Sequence, residues 1–259
     1  MEPRIIVTIA LLSVLVILFF VWFVRKKKRP TGPFPEAWRN ILLENVHFYR
    51  QLTPEERARF ESEIQFFFQE ITITGVDVEL TDTDRLLVAA SGVIPLFGFP
   101  GWHYRNLNEV LLYNDRFNLD FQTEGEGRNI NGMVGTGSMQ RMMILSRRAL
   151  HKGFRHADSR NVGIHEFVHL LDKFDGDTDG LPAQLMERQY TIPWLKFVHK
   201  EMEAIRKHKS DIRPYGATNE AEFFSVVSEY FFERPAQLRR KHPELYELLE
   251  EIFRQDPLD

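Results

Sequence analysis

The stretch Ile164-His165-Glu166-Phe167-Val168-His169-Leu170-Leu171-Asp172 decides the reading of this chain. On a helix, His165 and His169 are four residues apart and project from one face, one turn above the other. Two imidazole nitrogens can then meet one Zn²⁺ at about 2.0–2.1 Å each. Glu166 lies on the flank of that face, beside the open coordination position. There it can take a proton from a metal-activated water and pass it to a leaving amine. The plain alternative is a helix with two unrelated surface histidines. Against it, Ile164, Phe167, Val168, Leu170 and Leu171 supply the surroundings of a buried helix, where an uncompensated Glu is costly.

Two histidines do not complete such a site, and the sequence offers third ligands at two distances. Asp175 is the local one, but it needs a sharp turn at position 172, normally made by Gly, where Asp172 lets the helix continue. Asp172 itself is better placed as a helix-terminal residue or behind a ligand. The distant option is Asn219-Glu220-Ala221-Glu222-Phe223-Phe224-Ser225-Val226-Val227-Ser228-Glu229. Asn219 caps a new helix and Glu222 falls at its third position, where a capping-box role competes with metal ligation. Glu229, seven residues on, shares nearly the same face, and the residues alone leave Glu222 and Glu229 both open.

Around the motif, the pattern is one of few strands early and helices late, an α+β arrangement. Pro35–Leu43 reads as a short helix. Thr53-Pro54-Glu55-Glu56 starts a second, with Thr53 as N-cap and Pro54 at the first position. It should run to about Glu70 with Phe60, Ile64, Phe67 and Phe68 facing a core. Ile71–Val78 suggests a turn and strand, and Asp82–Ser91 another helix. Glu109–Tyr113 and Met142–Leu145 read as strands. Gln122–Met139, rich in Gly and polar residues, reads as a mobile loop, and its glycines match no phosphate-binding pattern. From Asn161 onward the chain looks almost wholly helical.

The 259 residues contain no cysteine, which excludes disulfides, Cys-ligated zinc, iron–sulfur clusters and thiol nucleophiles. Ile5 to Val24 carries no charge, and as a helix of about 30 Å it matches a bilayer core. Arg25-Lys26-Lys27-Lys28-Arg29 follows it, so the positive-inside rule puts the C-terminal side in the cytoplasm, at a bacterial inner membrane. Residues 1–29 hold six bases and one acid out of 33 and 37 in the whole chain, leaving a body with a clear acidic excess. Such a body is a poor match for nucleic acid. The expected organisation is a transmembrane anchor with basic flank at 1–29, a Pro-rich linker at 30–35 and one folded domain at 36–259.

Ile164–Asp172, Pro214–Phe232, the final Gln255-Asp256-Pro257-Leu258, Thr53–Glu56 and Glu109–Tyr113 together resemble the Mlc titration factor A (MtfA) family of zinc-dependent peptidases. The resemblance runs from roughly Glu36 to Leu258. The family motif reads Tyr, six residues, then Glu before an aromatic-rich Ser-Glu-Tyr-Phe-Phe; Tyr215 and Glu222 fall on it. The resemblance therefore implies His165, His169 and Glu222 as ligands of one zinc, and Tyr215 as donor to a developing oxyanion. It also implies a gluzincin-like core with substrate extended along an edge strand, for which Met142–Leu145 is the candidate. Two departures stand out: family members are soluble where this chain has a span, and Glu220 stands where Pro is common.

The reading that follows is an HExxH-type zinc metallopeptidase, with an aminopeptidase among its forms, acting on a peptide or protein substrate with Glu166 as general base. The alternative is a regulatory protein-binding module in which peptidase activity is secondary. The family name records binding to a sugar-uptake repressor, and nothing in these residues carries that partner across.

Overall fold

Local chemistry sets the first helices of the computed structural model. The structure describes residues 32–258 except 157, 159, 177, 183, 184, 186 and 187. The expected span at 5–24, its basic flank and the side chain of Asp175 lie outside the described residues. Among the described residues, no helix is long and apolar enough to cross a membrane.

Helix α1 (Glu36–Asn45) and the short α2 (His47–Gln51) precede α3 (Pro54–Glu70). At α3 the Thr53 hydroxyl accepts the Glu56 N–H, and the Glu56 carboxylate accepts the Thr53 N–H at 3.0 Å. This reciprocal cap satisfies two otherwise orphaned donors. The buried side of α3 carries Phe60, Ile64, Phe66 and Phe67, with Phe68 only partly covered.

Strand β1 (Thr72–Val76) leads into α4 (Asp82–Leu96), which runs beyond the expected Ser91 and takes Pro95 into its last turn. A proline there breaks one intrahelical bond. Carbonyls at the end of the helix, where no further turn can bond them all, meet the Gln255 amide, which reaches Ile94 O at 3.1 Å and Pro95 O at 3.4 Å.

Strands β2 (Glu109–Tyr113), β3 (Gly132–Val134) and β4 (Met142–Ser146) complete a four-stranded sheet in the order β1-β2-β4-β3. The first three in space are parallel, and β3 is antiparallel to β4. Ile73, Val110 and Met143 align across the sheet, as do Leu112, Leu145 and Gly132. The large residues of both rows are buried, as period-two alternation requires of one covered face.

Two expectations are corrected here. The segment 122–139 is not all loop, since it contains β3 and a 3₁₀ turn at Gly137–Met139. Met142–Leu145 is not an edge, because β4 lies between β2 and β3 and the edge on that side is β3. The reason is plain in the residues. Met143, Ile144 and Leu145 are too apolar to leave a flank open to water, whereas Gly-Met-Val carries almost no strand signal of its own.

The remaining chain is helical: α5 (Arg147–Arg155), α6 (Val162–Asp172), α7 (Arg188–Arg206), α8 (Glu220–Glu233), α9 (Pro235–Lys241) and α10 (Pro243–Phe253). Together these elements make a mixed α+β domain with a small sheet and a helical bulk. Helices α4 and α6 cross at small residues. A Cβ on Gly163 would stand 2.0 Å from Ser91 Oγ, and one on Gly92 would stand 2.9 Å from the Phe167 ring. That close approach buries Phe167 completely, a contribution of about 1.5–3 kcal/mol, and fixes α6 against the core.

Candidate metal centre

Helix α6 begins where the Asn161 side chain accepts the Ile164 N–H at 3.2 Å. Its next turn delivers His165 and Glu166, both buried, and His169 follows one turn later, partly exposed. The two imidazoles cross at 87° with centroids 4.7 Å apart. Helix α8 packs against α6 and opens with the Asn219 side chain accepting the Glu222 N–H at 2.8 Å. The Glu222 carboxylate turns to the histidines, with Oε2 at 3.0 Å from His165 Nε2 and 3.4 Å from His169 Nε2.

The two Nε2 atoms are themselves 3.1 Å apart. Three ligand atoms thus form a triangle with edges of 3.0, 3.1 and 3.4 Å. A tetrahedral ion with bonds of about 2.0–2.1 Å has ligand–ligand edges of about 3.3 Å. The donor set is of the right type and size for zinc.

Tautomer control supports the same fit. Glu229 Oε1 accepts from His165 Nδ1 at 2.7 Å, which leaves Nε2 as the nitrogen that faces the triangle. Ser225 Oγ stands 3.2 Å from His169 Nδ1. Glu229 in turn accepts from Arg213. Glu229, open as a ligand in the sequence, therefore lies behind His165, while Glu222 lies in front of it.

The charges of the site act strongly on one another. Burial disfavours a charged His165, yet Glu229 and Glu222 outweigh it and lift its pKa to about 10. Burial acts to raise the Glu222 pKa, but the two histidines dominate and hold it well below the usual carboxylate range. Burial raises the Glu166 pKa above its ordinary value, against the pull of His165 and His169. Among the described residues, no hydrogen bond engages the Glu166 carboxylate, and it faces a cleft of about 1000 Å³.

Tyr215 sits at the rim of that cleft in a 3₁₀ turn, Pro214–Ala217, with half its surface exposed. Its ring centroid is 5.9 Å from that of His165. Burial and the neighbouring Glu222 push its hydroxyl up to about 12, so it keeps its proton and remains a donor. Gly132 of β3 forms the facing wall, where a Cβ would stand 2.6 Å from Glu166 Cγ.

The structure thus brings His165, Glu166, His169, Tyr215 and Glu222 together. Asp172 ends α6, and its Oδ2 accepts the Gly180 N–H at 3.0 Å. Sequence reasoning missed Ser225, Arg213 and Gly132. Ser225 was accessible, being three residues past Glu222 on the same helical face; the other two carry no local signal.

Comparison with known proteins agrees with this architecture. The family model described as "Glucose-regulated metallo-peptidase M90" matches residues 20–254. A protein of Synechocystis sp., "Uncharacterized protein slr2042", is 33% identical over 246 residues, covering 90% of this chain and 89% of that protein. "Mlc titration factor A" of Pectobacterium atrosepticum is 29% identical over 240 residues, covering 86% and 87%. The protein of the same name from Escherichia fergusonii is 28% identical over 250 residues, covering 92% of each. The chain belongs to the M90 metallopeptidase family, among the relatives of Mlc titration factor A.

Proposed function

We propose that the chain is a gluzincin-like zinc peptidase in which His165, His169 and Glu222 hold the metal. Zinc bound there supplies Lewis acidity, which lowers the pKa of water and polarises a carbonyl. Glu166, a carboxylate facing the cleft, takes a proton from the attacking water and hands it to the leaving amine. Its raised pKa suits both halves of that transfer. Tyr215 donates to the developing oxyanion from the rim. The outer edge of β3 offers backbone groups along which an extended substrate can lie.

The observation that carries this reading is the triangle of His165 Nε2, His169 Nε2 and Glu222 Oε2, with His165 oriented by Glu229 and the Glu166 carboxylate beside it. A structural zinc has no need of such a base. The test uses the full-length protein as wild type and as Glu166→Gln, with bound zinc and hydrolysis of a peptide panel measured on both. Equal zinc with cleavage only by wild type supports the reading. Absence of zinc from both defeats it, and cleavage by both removes Glu166 from its role.

The name of two relatives favours a second reading, a regulatory module with a partner such as Mlc. In that case partner binding survives Glu166→Gln undiminished and no peptide is turned over.

For location, we propose a single-pass membrane protein anchored by residues 5–24, joined through 30–35 to a cytoplasmic domain at 36–259. The support is the apolar run and its basic flank. Resistance of the full-length protein to alkaline extraction from membranes checks it; release into the supernatant refutes it.

A further inference from the structure

The cleft in front of the metal triad has a charge opposite to that of the domain around it. Its walls carry Arg116, Arg128, Arg148, Lys152, Arg160 and Arg213. The acids lining it are Asp115, which pairs with Arg148 at 3.3 Å, and Glu166 and Glu229 of the site. Yet the chain beyond residue 29 is rich in acids. Bases from four separate segments have been gathered onto one concavity.

Helix α5 shows that this gathering has a cost. Arg148 and Lys152 stand at i and i+4, where like charges repel. Arg147 and Arg148 also occupy the first turn, where positive charge opposes the helix dipole. Arg147 is accounted for, since it donates to the buried Asp84 at 2.7 Å, joining α5 to α4. No such packing role explains Lys152. Among the described residues, neither its ammonium nor the Arg160 guanidinium makes an ion pair, and both are exposed at the cleft wall.

Other bases are held in place by hydrogen bonds to neutral groups. Arg116 Nε donates to Asn131 Oδ1 at 3.0 Å, directly before β3. Arg128 donates to the carbonyls of Thr123 and Gly125 at 2.7 and 2.9 Å. A cleft lined by six bases and three acids keeps a positive excess, which is electrostatically complementary to an anionic occupant. Since it also contains His165, Glu166 and the β3 residue Gly132, that occupant must present a peptide backbone to the same centre.

We propose that this cleft selects peptides bearing carboxylates beside the bond to be cut, whether from Asp and Glu side chains or from a free chain terminus. The inference rests on the peptidase reading and adds its substrate class. An exposed pair is worth little by itself, but several bases acting on one acidic segment should favour it on the order of tenfold over a neutral one.

The test uses zinc-loaded full-length Glu166→Gln, which should hold substrate without cutting it. Its binding is measured by fluorescence anisotropy with peptides identical except for Glu, Gln or Lys at the variable positions, each as free acid and as amide. The Glu peptide should bind on the order of tenfold tighter than the Gln peptide and the Lys peptide weakest, with the gap closing in high salt. Adding Lys152→Glu and Arg160→Glu should collapse the gap. Adding Lys200→Glu, the same charge change on α7, should preserve it. A preference only for free acids over amides assigns the cleft to a chain terminus; a preference retained in amides assigns it to side chains.

Equal binding of Glu and Gln peptides overturns the proposal, as does a gap that survives the double reversal. Displacement of the acidic peptide by an oligonucleotide that binds more tightly also overturns it, in favour of a nucleic-acid surface. Turnover by wild type separates the two readings. Charge-selective binding without cleavage of any peptide leaves the cleft inference standing and defeats the peptidase; cleavage indifferent to charge does the reverse.

Discussion

Replacing Gly132 by Ala should disable catalysis while leaving the metal in place. A methyl at this position would stand 2.6 Å from Glu166 Cγ, 2.7 Å from Glu166 Oε1 and 2.8 Å from Val162 Cγ2. Carbon atoms rest at about 3.5–4.0 Å, so one partner must retreat by about 1 Å. The backbone of β3 accepts Ala without strain, and its strand propensity is no worse than that of Gly. Val162 is fixed on α6, which leaves the Glu166 side chain as the group that moves. A displacement of about 1 Å in a catalytic group costs roughly 100-fold in rate, or about 2.7 kcal/mol of transition-state stabilisation. The assay is kcat/KM on one peptide alongside zinc content, for wild type and Gly132→Ala. The atoms nearest the new methyl belong to Glu166 and Val162 and not to the three ligands, so zinc should stay at the wild-type level. Activity within a factor of two of wild type would refute the steric argument, and loss of zinc would show that the strand supports the ligands instead.

Further predictions concern the ligand shell, the helix packing and the pH response. Glu229→Gln, which removes the charge behind His165, should weaken zinc about 10–100-fold in competition with a chromophoric chelator. Glu222→Gln should weaken it further, and the reverse order would exchange their roles. Gly163→Ala drives a methyl to 2.0 Å from Ser91 Oγ and should destabilise the domain by about 1–3 kcal/mol in urea, even after the gain in helix propensity; a variant as stable as wild type would show that α4 and α6 can move apart. Glu233 is pushed up to about 8 by burial and by Glu229, against its ordinary 4.5. The folded state therefore holds a proton that the unfolded state releases first. This stabilising effect is fully present below about pH 4.5 and is lost as pH rises through about 8. Glu233→Gln cannot lose that proton, so its stability relative to wild type should climb over the same interval; parallel urea midpoints at both ends would contradict this.

What could be read in advance was whatever depends on near neighbours in the chain. Thr53 and Glu56 cap α3 because the bonds they make are three residues long. The α6 motif was legible for the same reason, as helical spacing alone sets His165 and His169 on one face. The choice between Glu222 and Glu229 was not, because both lie on one side of α8. The structure separates them by place alone, since the two nitrogens of His165 point in opposite directions and meet one carboxylate each. Strand β3 escaped notice because three residues with a leading Gly gain their pairing only from β4. The basic cleft is equally non-local, assembled from residues spread between 116 and 213. The helix at Asp82 was seen to begin but not to end, since its last carbonyls are completed by Gln255 from the far end of the chain.

Helix α8 carries Glu222, Ser225 and Glu229 toward the site, and Phe224 and Phe231 of the same helix stack against Phe253 in the core. A change of volume at those aromatics would tilt or slide the helix that holds Glu222 and the groups behind both histidines. If the triad holds zinc as proposed, sequence drift in the interior would be felt as a change in metal retention. A genetic screen that began from a variant with weakened zinc would recover compensating changes among the buried phenylalanines and their neighbours, far from any atom that touches the ion.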